Sequence, residues 1–133
     1  MKQRKAIQDN ASEQNHEYYT QGCKAFDASD YQKALALFKN SIEYWPEDPQ
    51  AWMAVGNCYD VLKRPKRAEE AFRESLQYSD PVRSEEVSFN LGNSVFDQGR
   101  YLEAIEVFET IHPGSELWIK AQNNIKLAAN STS

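Results

Sequence analysis

Three residue types recur in one register along this chain. Gly22, Gly56 and Gly92 are separated by 34 and then 36 residues, and the sets Ala34, Ala68, Ala104 and Phe38, Phe72, Phe108 repeat at the same two intervals. A period of that length restricts the chain to architectures that stack one supersecondary unit, because a single unit buries its apolar face only against its neighbours. In the middle unit Trp52, Val55, Gly56 and Tyr59 fall at i, i+3, i+4 and i+7, which is one apolar stripe on an amphipathic helix. Ala68, Phe72 and Ser75 give the next helix a stripe of the same kind. A small residue on each helix, Gly56 and Ala68, lets the two backbones approach where an antiparallel pair crosses. A large side chain at either place is expected to cost roughly 1–3 kcal/mol by overpacking.

Turn chemistry sets the boundaries. Asp48-Pro49 and Asp80-Pro81 read as an N-cap followed by proline at the first helical position, each opening the first helix of a pair. Gly99 suits the left-handed end of a helix, and Asp30 and Pro65 stand where short turns lead into second helices. The expected helices are about 13–28, 31–45, 49–63, 66–78, 82–98, 101–111 and 115–129, with the extra two residues of the second interval absorbed around Ser79 to Ser84. After His112-Pro113-Gly114, Trp118, Ala121 and Ile125 share one side of the last helix, with Lys120, Asn123, Asn124 and Lys126 around the rest, as a capping helix requires. The domain is expected over 13–129, with repeats at about 15–48, 49–82 and 85–114 and a cap at about 115–129; residues 1–12 form a flexible N-terminal segment and 130–133 fray.

Composition narrows the function classes. At 133 residues the chain holds one ordinary domain, and no stretch approaches the roughly 20 apolar residues of a membrane span. Met1-Lys2-Gln3-Arg4-Lys5 is followed by Ala6-Ile7 and then Gln8, Asp9 and Asn10, so no apolar export core follows the charged start. A formal net charge of -5 argues against nucleic acid or anionic membrane as partner, since both are held by excess Lys and Arg. Cys23 and Cys58 form no CxxC pair, which suggests neither a disulfide framework nor a zinc site and fits a reducing cytoplasm. His16 and His112 lack partners at ligand spacing, and no phosphate-cradling loop or nucleophile elbow occurs, so no metal, cofactor or catalytic residue is expected. Glu69, Glu70 and Glu74 with Lys66, Arg67 and Arg73 read as a solvated helix face.

The middle copy matches the pattern W-x2-L-G-x2-Y followed by A-x3-F. The first copy has Tyr18, Gln21, Gly22 and Ala25, then Ala34, Phe38 and Pro46; the third has Ser88, Leu91, Gly92 and Val95, then Ala104 and Phe108. The closing proline is missing from the second and third. On these residues, over about 15–112, the chain resembles the tetratricopeptide repeat family. The resemblance implies an all-α fold, a right-handed α-solenoid of three helix-turn-helix repeats plus a C-terminal capping helix. It also implies a protein-binding role without catalysis, in which the first helix of each repeat lines a concave groove.

Indexed from the motif glycine, the groove stripe takes the residues three before, one after and four after it. These are Tyr19, Cys23 and Phe26, then Met53, Asn57 and Asp60, then Phe89, Asn93 and Phe96, with Ile119, Asn123 and Lys126 continuing the line into the cap. The candidate peptide-binding residues are Tyr19, Cys23, Phe26, Met53, Asn57, Phe89, Asn90, Asn93 and Phe96. Asn both donates and accepts, so a row of amides holds an extended main chain whatever its side chains, while aromatic residues supply pockets and affinity. Asp27, Asp60, Glu86, Asp97 and Glu116 surround the stripe and favour a neutral or basic protein segment. Relatives that grip the acidic tails of heat-shock chaperones use Lys, Asn and Arg. The matching positions here are Tyr19, Cys23, Ala54, Glu86 and Asn90, which supply no cation, so an acidic chaperone tail is not an expected partner. The resemblance implies an interaction adaptor first. A bacterial secretion-type chaperone or the regulatory portion of a larger enzyme are the alternatives, and the convex face is available for self-association.

Overall fold

Aspartates that accept a backbone N–H in the first turn start three of the helices. Asp30 accepts from Lys33 N at 3.4 Å, Asp48 from Gln50 N at 3.0 Å and Asp80 from Arg83 N at 2.8 Å. The structure, a computed structural model, describes residues 2–132, with side chains from residue 10 onward. Among the described residues the regular structure is α1 (Lys2–Asp27), α2 (Tyr31–Tyr44), α3 (Pro49–Val61), α4 (Pro65–Tyr78), α5 (Pro81–Asp97), α6 (Tyr101–Phe108) and α7 (Trp118–Ser131). Proline opens α3, α4 and α5, where its missing N–H leaves no helix bond unmade. The helices pair as α1–α2, α3–α4 and α5–α6, each pair packs on the next, and α7 closes the stack.

The motif glycines make room for an aromatic ring. A Cβ added at Gly22 would lie 2.6 Å from Cε1 of Phe38, one at Gly92 would lie 2.5 Å from Cε1 of Phe108, and one at Gly56 would press closer still on Phe72. These contacts are inside van der Waals distance, so helix pairing depends on glycine opposite phenylalanine. Phe72 and Phe108 are fully buried and Phe38 nearly so, alongside fully buried Ala34, Ala68 and Ala104. The close approach expected of Gly56 and Ala68 is thus completed by a third group, the ring from one turn beyond the alanine.

A buried hydroxyl adds a second tie. Ser41 Oγ donates to Asn15 O at 2.9 Å, and Ser75 Oγ donates to Pro49 O at 2.7 Å, so the second helix of each of the first two pairs grips the backbone of its partner, midway along α1 and at the start of α3. Asn15 Nδ2 also donates to Ser41 Oγ at 2.8 Å and to Asp48 at 3.3 Å, joining α1, α2 and the α3 cap. In the third pair Ile111 stands where the serine would be. Ser75→Ala is expected to cost about 1 kcal/mol, because Pro49 O keeps its place in the α3 ladder and only the net value of one hydrogen bond is lost. A urea midpoint lowered at unchanged m-value checks this.

Several boundaries differ from those expected. α1 extends back to Lys2 through the segment set apart as flexible, since no glycine or proline interrupts the chain before Gly22. α6 stops at Phe108, short of 111, and α7 begins at Trp118, past 115. Between them Thr110 N bonds Val107 O, Ser115 N bonds His112 O and Trp118 N bonds Ser115 O. Thr110 Oγ1 also donates to Val107 O at 2.7 Å, competing with the helix ladder, and Pro113 has no N–H to continue it.

Glu69 departs from the solvated face proposed for it. Only 8% exposed, it receives Arg100 at 2.6 Å, Gln98 at 2.9 Å and Arg73 at 2.9 Å. The third repeat, stacking over α4, covers Glu69 and leaves Lys66, Arg67 and Glu70 in solvent. This cluster pins the second repeat to the α5–α6 turn.

Candidate functional site

Amide pairs lock the first helices of successive units side by side. Asn90 Nδ2 donates to Asn57 Oδ1 at 3.2 Å, linking α5 to α3, and Asn124 Nδ2 donates to Asn93 Oδ1 at 2.9 Å, linking α7 to α5. Asn93 is the counterpart of Asn57 one repeat later, so one device is used twice. Between α1 and α3 the corresponding residues are Cys23 and Ala54, which make no amide pair. There a pocket of about 140 Å³ opens, lined by Tyr19, Cys23, Phe26, Asp27, Phe38, Ala54 and Asn57.

The aromatic residues of this face are braced from behind. Tyr19 lies 5.5 Å from Phe38 and Phe89 lies 5.8 Å from Phe108, centroid to centroid. Phe26 meets Tyr31 edge-on at 5.1 Å, and Phe96 meets Tyr101 in the same way at 5.0 Å. The second repeat carries Asp60 and Pro65 where the first and third carry these Phe–Tyr pairs. All nine candidate residues are half-buried. Tyr19, Cys23, Phe26 and Asn57 converge on the pocket; Met53 packs partly on the core; Asn90 and Asn93 form the amide pairs; and Phe89 and Phe96 stand on α5, beyond the pocket.

Burial, and then the nearby Asp97, push the Asp60 carboxyl above the usual carboxylate range, with Lys63 opposing them. The Asp60 carboxylate makes no hydrogen bond or ion pair among the described residues, although its backbone carbonyl accepts from Lys63 N at 3.1 Å. Burial, and then Cys23, push the Tyr19 hydroxyl up to about 12. The Cys58 thiol is also pushed up to about 12, by burial and then Cys23, which keeps it protonated and unreactive. Among the described residues no group of three or more His, Cys, Asp or Glu side chains is placed to hold a metal ion, and no helix is long and apolar enough to cross a membrane.

Three features lay outside the predicted set. The cap contributes Asn124, while Ile119 is 68% exposed and Asn123 faces solvent. No glycine fixes the frame of α7, but the 34-residue step from Asn90 to Asn124 carries the signal. Tyr31 and Tyr101 also keep the repeat register and brace Phe26 and Phe96. Third, a depression of about 750 Å³ lies on the opposite side, between α2 and α4 over α3, with Ile42, Trp52, Val55 and Tyr59 inside it and Lys39, Arg67, Glu70 and Glu74 around it. Its floor is the motif stripe that joins the helices, and Lys39 Nζ lies 5.3 Å from the centroid of Tyr59. Its rim charges are mixed in sign. The smaller α1–α3 pocket has the Asp27 carboxylate in its lining, and Asp60 follows three residues after its Asn57 on α3.

A protein-family model described as tetratricopeptide repeat matches residues 19–83. No curated protein matches the sequence. Among solved structures the chain is similar to the first TPR of Spaghetti (RPAP3) bound to the HSP90 peptide SRMEEVD, at 17% identity and a TM-score of 0.81, covering 91% of this chain and 94% of that one. It is similar to the TPR2B domain of yeast Sti1 in a complex with pHsp70, at 16% identity and a TM-score of 0.80, covering 90% and 98%. The Yersinia enterocolitica type III secretion chaperone SycD, in complex with a peptide of the translocator YopD, gives 12% identity and a TM-score of 0.78 over 89% and 94%. At these identities the likeness is one of fold.

Proposed function

Because this chain is a tetratricopeptide repeat protein, we propose that it is an interaction adaptor that holds an extended segment of a partner protein across the α1–α3–α5–α7 face. The observation that carries this reading is the pair of amide bridges, Asn57–Asn90 and Asn93–Asn124. Each bridge uses one donor and one acceptor, so the remaining N–H and C=O groups are held in fixed positions for a guest main chain. The braced aromatic residues add apolar contact at little cost in side-chain entropy, since their rings are already immobilised. Three neighbours of the same fold are held with peptides or chaperone partners, which supports the same use of the face here. Free Cys23 and Cys58 suit a reducing cytoplasm.

The charge on this face favours a neutral or basic guest. Asp27, Asp60 and Asp97 stand near the pocket, and no Lys or Arg occupies the positions from which related domains hold an acidic tail. The peptide SRMEEVD, titrated against this protein at low salt, is expected to show no saturable anisotropy change. A tight, salt-sensitive complex would overturn the charge argument.

Capture from lysate with wild type and a Phe89→Ala, Asn93→Ala double variant tests the face itself. The variant is expected to lose its partner while its helicity, read by circular dichroism, is unchanged. Equal recovery of every partner would sink the assignment and move the interaction, self-association included, to the α2–α4 depression. The fold shared with SycD keeps a secretion-type chaperone as the second reading. Co-expression that rescues an insoluble client favours it, whereas capture of a folded, soluble partner favours the adaptor.

A further inference from the structure

The row of amide bridges stops at one place, and that place is a pocket. Cys23 and Ala54 replace the asparagines between α1 and α3, and Tyr19, Phe26, Phe38 and Ala54 wall a hollow of about 140 Å³. Asp27, Asn57 and Cys23 complete the lining of this open cleft, and its volume is of the order that holds a benzene-sized group, about 150 Å³, which is room for a single aliphatic side chain against the apolar wall. Three residues along α3 from Asn57, a rise of about 4.5 Å, stands Asp60. The Phe–Tyr pairs of the first and third repeats leave a gap in the second, and Asp60 occupies it, half-buried and without an ion pair among the described residues. Asp97 lies close enough to repel it, Lys63 nearby offsets burial and repulsion only in part, and Asp27 lies on the pocket wall. An apolar hollow thus adjoins a carboxylate that gains from a cation.

Resting on the reading of this face as a peptide site, we propose that the guest is an extended segment with an aliphatic side chain two residues from a lysine or arginine. The aliphatic group fills the pocket and the cation reaches Asp60. In an extended chain, residues i and i+2 point the same way about 6.6 Å apart. That separation exceeds the rise from Asn57 to Asp60 by an amount the flexible stem of lysine or arginine takes up.

Selection of a displayed library of random nine-residue peptides against the full chain tests this. The expected result is enrichment of aliphatic-x-Lys and aliphatic-x-Arg. In the strongest peptide, changing the aliphatic residue to serine is expected to weaken binding at least tenfold, from the loss of one buried side chain. Changing its basic residue to glutamate, or Asp60→Asn in the protein, is expected to weaken it roughly three- to tenfold. Ala54→Leu, which fills the pocket from within, should remove the aliphatic preference and keep the basic one. Cys23→Leu at the pocket wall repeats that test if Ala54→Leu fails to fold. Enriched peptides that lack the pattern yet are lost with Phe89→Ala, Asn93→Ala overturn the inference and leave the peptide face standing. Enrichment that no substitution on this face alters overturns both.

Discussion

Phe72→Ala is expected to lower the unfolding free energy by about 3–5 kcal/mol, the range for deleting a buried aromatic side chain. The ring is fully buried, it lies against the backbone of Gly56, and it belongs to the central unit, so its loss loosens contacts toward both ends of the stack. The companion experiment is Gly56→Ala. In an ordinary helix this change stabilises by about 0.5–1 kcal/mol; here the new methyl meets the Phe72 ring and the sign reverses. In a Phe72→Leu background the obstruction shrinks, and Gly56→Ala should become neutral or favourable. Urea unfolding of the four proteins gives the coupling directly. A Gly56→Ala that stabilises equally in both backgrounds would show that the ring and the glycine do not compete for space.

The second large effect depends on pH. Burial alone raises the Glu69 carboxyl, but hydrogen bonds from Arg100, Gln98 and Arg73 outweigh it and hold the group at about 2. A carboxyl held below its unfolded value, about 4.3, contributes stability that is complete above that value and is lost as pH falls toward 2. Because Arg73 and Arg100 remain 47% and 40% exposed, the full linkage value is discounted to about 1–2 kcal/mol. Glu69→Gln should therefore lower Tm at pH 7, and the gap to wild type should close between pH 4.5 and 2. A gap that stays constant over that range would mean the charge contributes nothing.

The repeat register, the caps and the half-buried stripe along α1, α3 and α5 were legible because each follows from spacing. Gly22, Gly56 and Gly92 set the phase, and the capping roles of Asp30, Asp48 and Asp80 depend on neighbours two or three residues away. What escaped depends on stacking. Glu69 looks like any residue of a charged helix until the third repeat lies over it with Arg100 and Gln98. Asn124 escaped for a related reason, since α7 has no glycine to fix its phase and its partner Asn93 is 31 residues away. The aromatic stripe was found, but its bracing by Tyr31 and Tyr101 came from helices whose own inner faces the stripe does not describe. The α1–α3 pocket is a gap, visible in sequence only as Cys23 and Ala54 standing where other units carry asparagine.

The hydroxyl tie that joins the two helices of a unit is present in the first two units, and its place in the third is taken by Ile111. In the first two units the tie is made by buried groups, Asn15, Ser41, Asp48 and Ser75, whereas the helices of the third are joined by an exposed contact, His112 N donating to Glu85 Oε1 at 3.2 Å. A guest that lies across the whole face therefore spans units whose helices are fastened by a buried hydroxyl and one whose helices are fastened at a solvent-facing end. The α1–α3 pocket lies among the units that carry the buried tie, and the amide bridges run from there toward the unit that lacks it.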